Sequence, residues 1–269
     1  MLSAWKSSLL KLTFLRIKMN PNLFLQKFRS PEEEASSAKM EKLLKNCPIP
    51  DDQLISNFGL FLHPRDISRI LFFNHIYSLI AEVPGVIMDF GTRWGTNMAL
   101  FSSLRNIYDP INKQRLIIGF DTFEGFPHIS PEDGNSSIME IGRVSVPLGY
   151  DEYLKSILEL HNKNEPLGHL KKYNLCIGDA GEEIHKYFIN QPETIVALAF
   201  FDMNLYKPTK ECLEAIKPRL VKGSIVAFDE LNDPTCPGET QALQEVFGLN
   251  NIKLLRFKPT SRVSYFILT

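Results

Sequence analysis

Val86-Ile87-Met88-Asp89-Phe90-Gly91-Thr92-Arg93-Trp94-Gly95-Thr96-Asn97 carries an apolar run into a glycine-bearing turn and out into a segment of helical length, 96–108. The run is continuous except for Asp89, as expected of a strand buried on both faces. The unit repeats on the C-terminal side. Short apolar runs recur at 116–121, 173–179, 195–202, 224–230, 252–257 and 264–268, with mixed segments of helical length at 151–162, 180–190, 208–220 and 238–247. On the N-terminal side, Ile67, Ile70, Phe73, Tyr77 and Ile80 return every three or four residues. That spacing predicts a helix between His63 and Val83 with one buried stripe, and Pro64 suits its first turn.

Strand–helix alternation predicts an α/β domain with a mostly parallel sheet and helices on both faces. The last two runs are separated only by the six residues 258–263, too few for a crossover helix, so they are expected to pair antiparallel. Seven strands ending in an antiparallel hairpin form the pattern of the class I methyltransferase variety of the Rossmann-like fold. The plain dinucleotide-binding variety lacks the hairpin.

The rest of the 269 residues bounds the reading. The chain is 44% hydrophobic and 23% charged, as in a globular protein with a large core, and its net charge of -1 gives no pull toward nucleic acid. Cys47, Cys176, Cys212 and Cys236 are too far apart for a CxxC pair and read as reduced thiols. No apolar run reaches the roughly 18 residues of a spanning helix. The first acid is Glu32, and Lys6, Lys11, Arg16 and Lys18 interrupt the apolar residues before it, which argues against a signal peptide. An amphipathic helix packing on the body or on a partner subunit is expected there, with docking on a membrane surface or disorder as the alternatives. Residues 30–53, polar and broken by Pro31, Pro48 and Pro50, read as a linker or cap. The expected organisation is an N-terminal extension over 1–53 and a catalytic domain over 54–269. A lid-like insertion lies at about 124–150, in a cytoplasmic protein that forms a homo-oligomer.

In an open α/β sheet, ligands sit beyond the carboxyl ends of the strands. The turn Gly91-Thr92-Arg93-Trp94-Gly95 has the spacing Gly-x-x-x-Gly, unlike the glycine pattern of a pyrophosphate site. Gly91, Thr92, Arg93 and Gly95 are candidate cofactor contacts, and Gly95→Val is expected to abolish cofactor binding in a folded protein. Asp89 would repel a phosphate and suits a ligand with a cationic amino end. Asp121, with Thr122 beside it, closes the second strand and suits a ribose diol, and Asp179 closes the third, within reach of an adenine amino group. Each acid alone has a second reading as a helix cap. Together they describe a non-phosphorylated adenosyl ligand, S-adenosylmethionine.

The fourth and fifth strands deliver Asp202 and the pair Asp229-Glu230. Carboxylates so crowded require a counter-charge. Mg²⁺ would satisfy them, grip substrate oxygens and lower the pKa of an attacking hydroxyl; Lys207 or Lys210 is the alternative, with the acids as a solvated rim. Asp202 is a candidate base, and His128, in the long loop after the second strand, is another. No nucleophile elbow or Ser-His-Asp order is present.

Three motifs resemble one family. Gly119-Phe120-Asp121-Thr122-Phe123-Glu124-Gly125-Phe126-Pro127 is similar to the Asp-Ser/Thr-Phe-Glu-Gly-Leu/Phe-Pro signature of the macrocin O-methyltransferase (TylF-like) family. Asp202-Met203-Asn204-Leu205-Tyr206-Lys207-Pro208-Thr209 fits the same family, as does Phe228-Asp229-Glu230-Leu231-Asn232 followed by Pro237-Gly238-Glu239-Thr240. The resemblance covers roughly 55–269. It implies O-methylation, from S-adenosylmethionine, of a hydroxyl on a sugar, a sugar-containing natural product or a polysaccharide precursor, with Mg²⁺ at Asp202, Asp229 and Glu230. Asn204 stands where the family usually has a second acid, and Glu230 where it often has Asp. Two readings compete with this one: a catalytically silent binding or assembly module, and a nicotinamide-dependent oxidoreductase, whose glycine pattern is missing.

Overall fold

The computed structural model describes residues 30–260 and 262–269. The amphipathic helix expected in the first residues lies outside them. Seven strands, β1 (Val86–Phe90), β2 (Ile117–Asp121), β3 (Tyr173–Ile177), β4 (Val196–Phe201), β5 (Leu220–Phe228), β6 (Leu255–Arg256) and β7 (Ser264–Ile267), form one sheet in the order β3-β2-β1-β4-β5-β7-β6. The five central strands are parallel, and β7 runs antiparallel to both β5 and β6. This is the Rossmann-like methyltransferase fold that the alternation predicts, hairpin included.

Helices cover both faces. On one face α3 (Pro64–Ile80), α4 (Thr96–Tyr108) and α5 (Tyr150–Lys163) bury Phe72, Phe73, Phe101 and Leu154 against Ile87 and Leu198. On the other, α6 (Ala180–Asn190), α7 (Tyr206–Ile216) and α8 (Gly238–Phe247) bury Ile184, Cys212 and Leu243 against Met88 and Val226. β1 therefore supplies both cores with alternate residues, which is why its run is apolar except at Asp89. No described helix is long and apolar enough to cross a membrane.

Three boundaries differ from the sequence reading. The polar stretch after residue 30 holds α1 (Pro31–Lys45) and the single turn α2 (Asp51–Leu54). Ser30 and Glu33 close a capping box around Pro31, so that proline starts a helix rather than breaking one. The helix expected to run to residue 220 stops at Ile216 and tightens into a 3-10 turn over Lys217–Arg219, because Pro218 has no N–H to carry the helical ladder on. Only Leu255 and Arg256 of the sixth run pair in the sheet, at its edge.

One packing feature sets the level of everything built on the sheet. Phe120, Phe90, Phe201 and Phe228 lie side by side across β2, β1, β4 and β5. Their rings stack at 4.8, 4.6 and 5.1 Å between centroids, each pair 17° from parallel. The next residue on each strand is Asp121, Gly91, Asp202 or Asp229. Cross-strand bonds continue one step past the ladder, Gly91 N–H to Phe120 C=O at 3.0 Å, Asp202 N–H to Phe90 C=O at 2.9 Å and Asp229 N–H to Phe201 C=O at 3.0 Å. Four strand ends are thus held at one height.

Candidate active site

A cleft of about 460 Å³ opens above those ends, within the roughly 300–1,000 Å³ usual for small-molecule sites. Its walls join the two groups read from the sequence. Gly91, Thr92, Arg93, Asp121, Thr122 and Asp179 line one part, and Asp202, Asp229 and Glu230 line the other.

The glycine turn takes its shape from close packing. Gly91 has φ +88° and lies against β4, where an added Cβ would stand 2.1 Å from the Asp202 carbonyl oxygen. Gly95 has φ +74° and caps α4, and a Cβ there would lie 2.2 Å from Leu154 Cδ1 of α5. Gly95 is therefore demanded by the fold, which corrects the expectation that Gly95→Val stays folded.

Asp121 accepts from two backbone amides, Arg93 N–H at 2.7 Å and Phe123 N–H at 2.6 Å, one on each oxygen. Burial raises its pKa, and the two amides counter that. The carboxylate is held rigidly at the cleft wall, with a lone pair left on each oxygen. Thr122 Oγ1 donates to the Gly125 carbonyl at 2.8 Å and shapes the following turn. Asp179 is a helix cap: its Oδ1 accepts from Gly181 N–H at 2.9 Å and Glu182 N–H at 3.4 Å. Its Oδ2 faces His128 Nδ1 at 3.9 Å.

Three residues singled out in the sequence lie away from the cleft surface: Gly95, buried against Leu154, Asp89 and His128. Asp89 is fully buried beneath the turn, where Oδ1 accepts from Asn97 Nδ2 at 3.0 Å and Oδ2 has no partner among the described residues. Burial pushes its pKa up to about 7. His128 turns to Asp179, and its Nε2 is buried without a partner among the described residues.

Asp202, Asp229 and Glu230 converge, each offering an oxygen within 4.8 Å of the others. Their counter-charges are arginines absent from the sequence reading. Arg69 of α3 donates through Nη1 to Asp229 Oδ1 at 2.6 Å and through Nη2 to Asp202 Oδ2 at 2.9 Å. Arg262, between β6 and β7, pairs with Glu230 and approaches Asp229 Oδ2 at 3.4 Å. Lys207 and Lys210 are engaged elsewhere, with Glu211 at 3.9 Å and Glu245 at 2.6 Å. Burial, and then the Asp229 charge, hold the Asp202 carboxyl above the usual range against the pull of Arg69. Burial also raises Glu230 and Glu239.

Glu239 is fully buried at the start of α8 and accepts from Met203 N–H at 2.8 Å and Asn204 N–H at 3.0 Å. It thereby holds the left-handed Asn204, φ +62°. Arg69 carried one overlooked signal: it sits three and four residues before Phe72 and Phe73, a charge on the buried stripe of α3. Nothing local marks Arg262.

The segment after β2 is packed rather than loose. Phe126, Ile138 and Met139 form a small core with Leu205 and Cys236. Asp133 accepts from Ser130 N–H at 2.6 Å and also from Tyr206 N–H. Ser136 Oγ donates to the Thr235 carbonyl at 2.7 Å. The segment thus rests on the loops that follow β4 and β5, and its Phe126, Pro127 and Val144 line the cleft.

Comparison with known proteins places this arrangement. No family profile and no curated protein matches the chain. Among solved structures, the calicheamicin methyltransferase CalS11 is 42% identical, with a TM-score of 0.86 over 89% of this chain and 93% of that one. An apo structure of CalS11, described as a TDP-rhamnose 3'-O-methyltransferase, is 40% identical, with a TM-score of 0.79 over 89% and 95%. The O-methyltransferase NovP shares the fold, at 17% identity and a TM-score of 0.55 over 76% and 80%. With such identity across nearly its whole length, the chain belongs to the class I S-adenosylmethionine-dependent O-methyltransferases.

Proposed function

We propose that this O-methyltransferase acts on a hydroxyl of a sugar, carried on a nucleotide, a natural product or a polysaccharide precursor, and that it falls in the macrocin branch of the family. The observation that carries the reading is the continuity of the cleft: the adenosyl-type end at Asp121 and the carboxylate end at Asp202, Asp229 and Glu230 line one cavity. CalS11, described as a TDP-rhamnose 3'-O-methyltransferase, supports it at 40% identity.

In this reading Asp121 accepts both ribose hydroxyls of the cofactor and Asp179 Oδ2 reaches its adenine end. The turn from Gly91 to Gly95 lets backbone approach the ligand, and Asn97 carries the buried Asp89 to the cleft. When bound, the cofactor would supply a sulfonium methyl to the acceptor oxygen, and alignment of the two by the cleft would supply much of the rate. Asp202 accepts the acceptor's proton, favoured over His128 because Asp202 lines the cleft and His128 is turned to Asp179. The segment 124–150 serves as the lid over the acceptor, excluding water.

The donor set fits Mg²⁺. Asp202, Asp229 and Glu230 are hard oxygen ligands of converging geometry, and Glu230 Oε2, in a side chain 5% exposed, has no partner among the described residues. When bound, the ion would polarise the acceptor hydroxyl and stabilise its developing alkoxide. The test is turnover of TDP-rhamnose and related nucleotide sugars with S-adenosylmethionine, read by mass spectrometry. Methylation of a sugar hydroxyl is expected, and methylation confined to phenols or catechols would overturn the sugar assignment.

A further inference from the structure

Arg69 stands where a cation would. Its two terminal nitrogens straddle Asp202 and Asp229, at 2.9 and 2.6 Å, using one oxygen of each carboxylate. A planar guanidinium forked between two carboxylates fills the position from which a single cation bridges both. We propose that Arg69 is a built-in counter-ion that excludes a divalent cation from the Asp202–Asp229 edge, so that the cation binds only as Arg69 withdraws. The proposal rests on the metal reading above.

Three observations support it. First, Arg69 is held in place by more than its ion pairs. It lies over the faces of Phe73 and Phe200, 5.3 and 5.4 Å from the ring centroids, and donates to Asn97 Oδ1 at 3.2 Å. Second, the cluster has negative charge to spare: among the described residues, the three carboxylates Asp202, Asp229 and Glu230 are ion-paired with two cations, Arg69 and Arg262, and the buried Glu239 is close enough to raise Glu230. Third, a displaced Arg69 has somewhere to go. Asp66 lies three residues earlier on α3, lines the same cleft and is half-exposed; it accepts from His63 N–H at 3.1 Å and faces Arg65 Nε at 3.7 Å, a loose surface pair that Arg69, its i,i+3 neighbour, can share. Two cations cannot share one bridging position, so cation binding and Arg69 docking exclude each other.

Mn²⁺ binding tests this, read by electron paramagnetic resonance of the free ion in the absence of acceptor. Arg69→Met is expected to tighten Mn²⁺ binding by about tenfold or more, the scale of a charge-assisted hydrogen bond removed. Arg69→Lys, whose single ammonium reaches one carboxylate at a time, is expected to fall between and serves if the methionine variant does not fold. Arg65→Met removes a cleft cation that touches neither Asp202 nor Asp229, and is expected to change affinity less than twofold or so, as for a screened surface charge. Asp229→Asn is expected to abolish binding. Equal Mn²⁺ affinity in wild type and both Arg69 variants, with binding still lost in Asp229→Asn, overturns the exclusion and leaves the metal site standing. An equal gain from Arg65→Met reduces the effect to net charge and also overturns it. Absence of Mn²⁺ binding in every protein overturns both proposals.

Discussion

Arg69 and Asp202 lie 133 positions apart in the chain and meet at 2.9 Å, the guanidinium closing the gap between α3 and the end of β4. Through Asn97, which accepts from Arg69 at 3.2 Å and donates to Asp89 at 3.0 Å, the same contact runs on to the cofactor turn. The two halves of the cleft are therefore joined by one chain of hydrogen bonds through Arg69 and Asn97.

Asp121 tests the cofactor half. Asp121→Ala is expected to weaken binding of S-adenosylhomocysteine by about 1.5–3 kcal/mol, as for hydrogen bonds to a charged group. Isothermal calorimetry measures it. A change near zero would mean that Asp121 serves only the amides of Arg93 and Phe123.

Asp89 predicts a pH dependence of stability. Its pKa is raised from 3.8 to about 7 in the folded protein, mainly by burial. Between those values the folded state holds a proton that the unfolded chain releases, so stability falls as pH rises through the window. Asp89→Asn is expected to flatten that fall by about 1–4 kcal/mol between acid and neutral pH, seen as converging urea midpoints. Parallel midpoint curves for the two proteins would show that Asp89 is ionised throughout.

Gly95 tests the packing of the turn. Gly95→Ala is expected to cost about 2–5 kcal/mol, combining left-handed backbone strain with the clash against Leu154. Leu154→Ala in the same protein should restore part of that loss, since it returns the space but not the torsion. A double variant no more stable than the sum of the single losses would place the cost elsewhere.

Glu239 tests the support beneath Asn204. Glu239→Ala leaves the amides of Met203 and Asn204 buried without an acceptor and is expected to cost about 2–5 kcal/mol, while Glu239→Gln keeps an acceptor and costs less. Equal melting temperatures for the two variants would argue against this support.

The chelator experiment decides the role of the carboxylates. EDTA is expected to lower turnover by orders of magnitude, and Asp229→Asn to do the same while S-adenosylhomocysteine affinity barely changes. Full turnover in EDTA would leave Asp202 as a metal-free base and the methyltransferase assignment intact.

What the sequence by itself determined is everything that depends on neighbours along the chain. Continuous apolar runs such as Val196–Phe201 marked strands buried on both faces, and the short link before β7 set its antiparallel direction. Because the carboxyl ends of parallel strands converge, Asp121, Asp202 and Asp229 were legible as one site from the fact that each ends or follows an apolar run. Even the phenylalanine before each strand-end position was visible, though not that Phe90, Phe120, Phe201 and Phe228 stack into the ladder that levels them. Only the tertiary structure decided where charges find their partners. Arg69 reaches Asp229 across 160 positions and Glu239 reaches Met203 across 36, distances over which no periodicity carries information. The depth of Asp89 and the turn of His128 away from the carboxylates were settled the same way, by the packing of helices over strand ends. Local patterns fix which face of an element is buried; the partners of a polar side chain on that face are chosen by the elements folded against it.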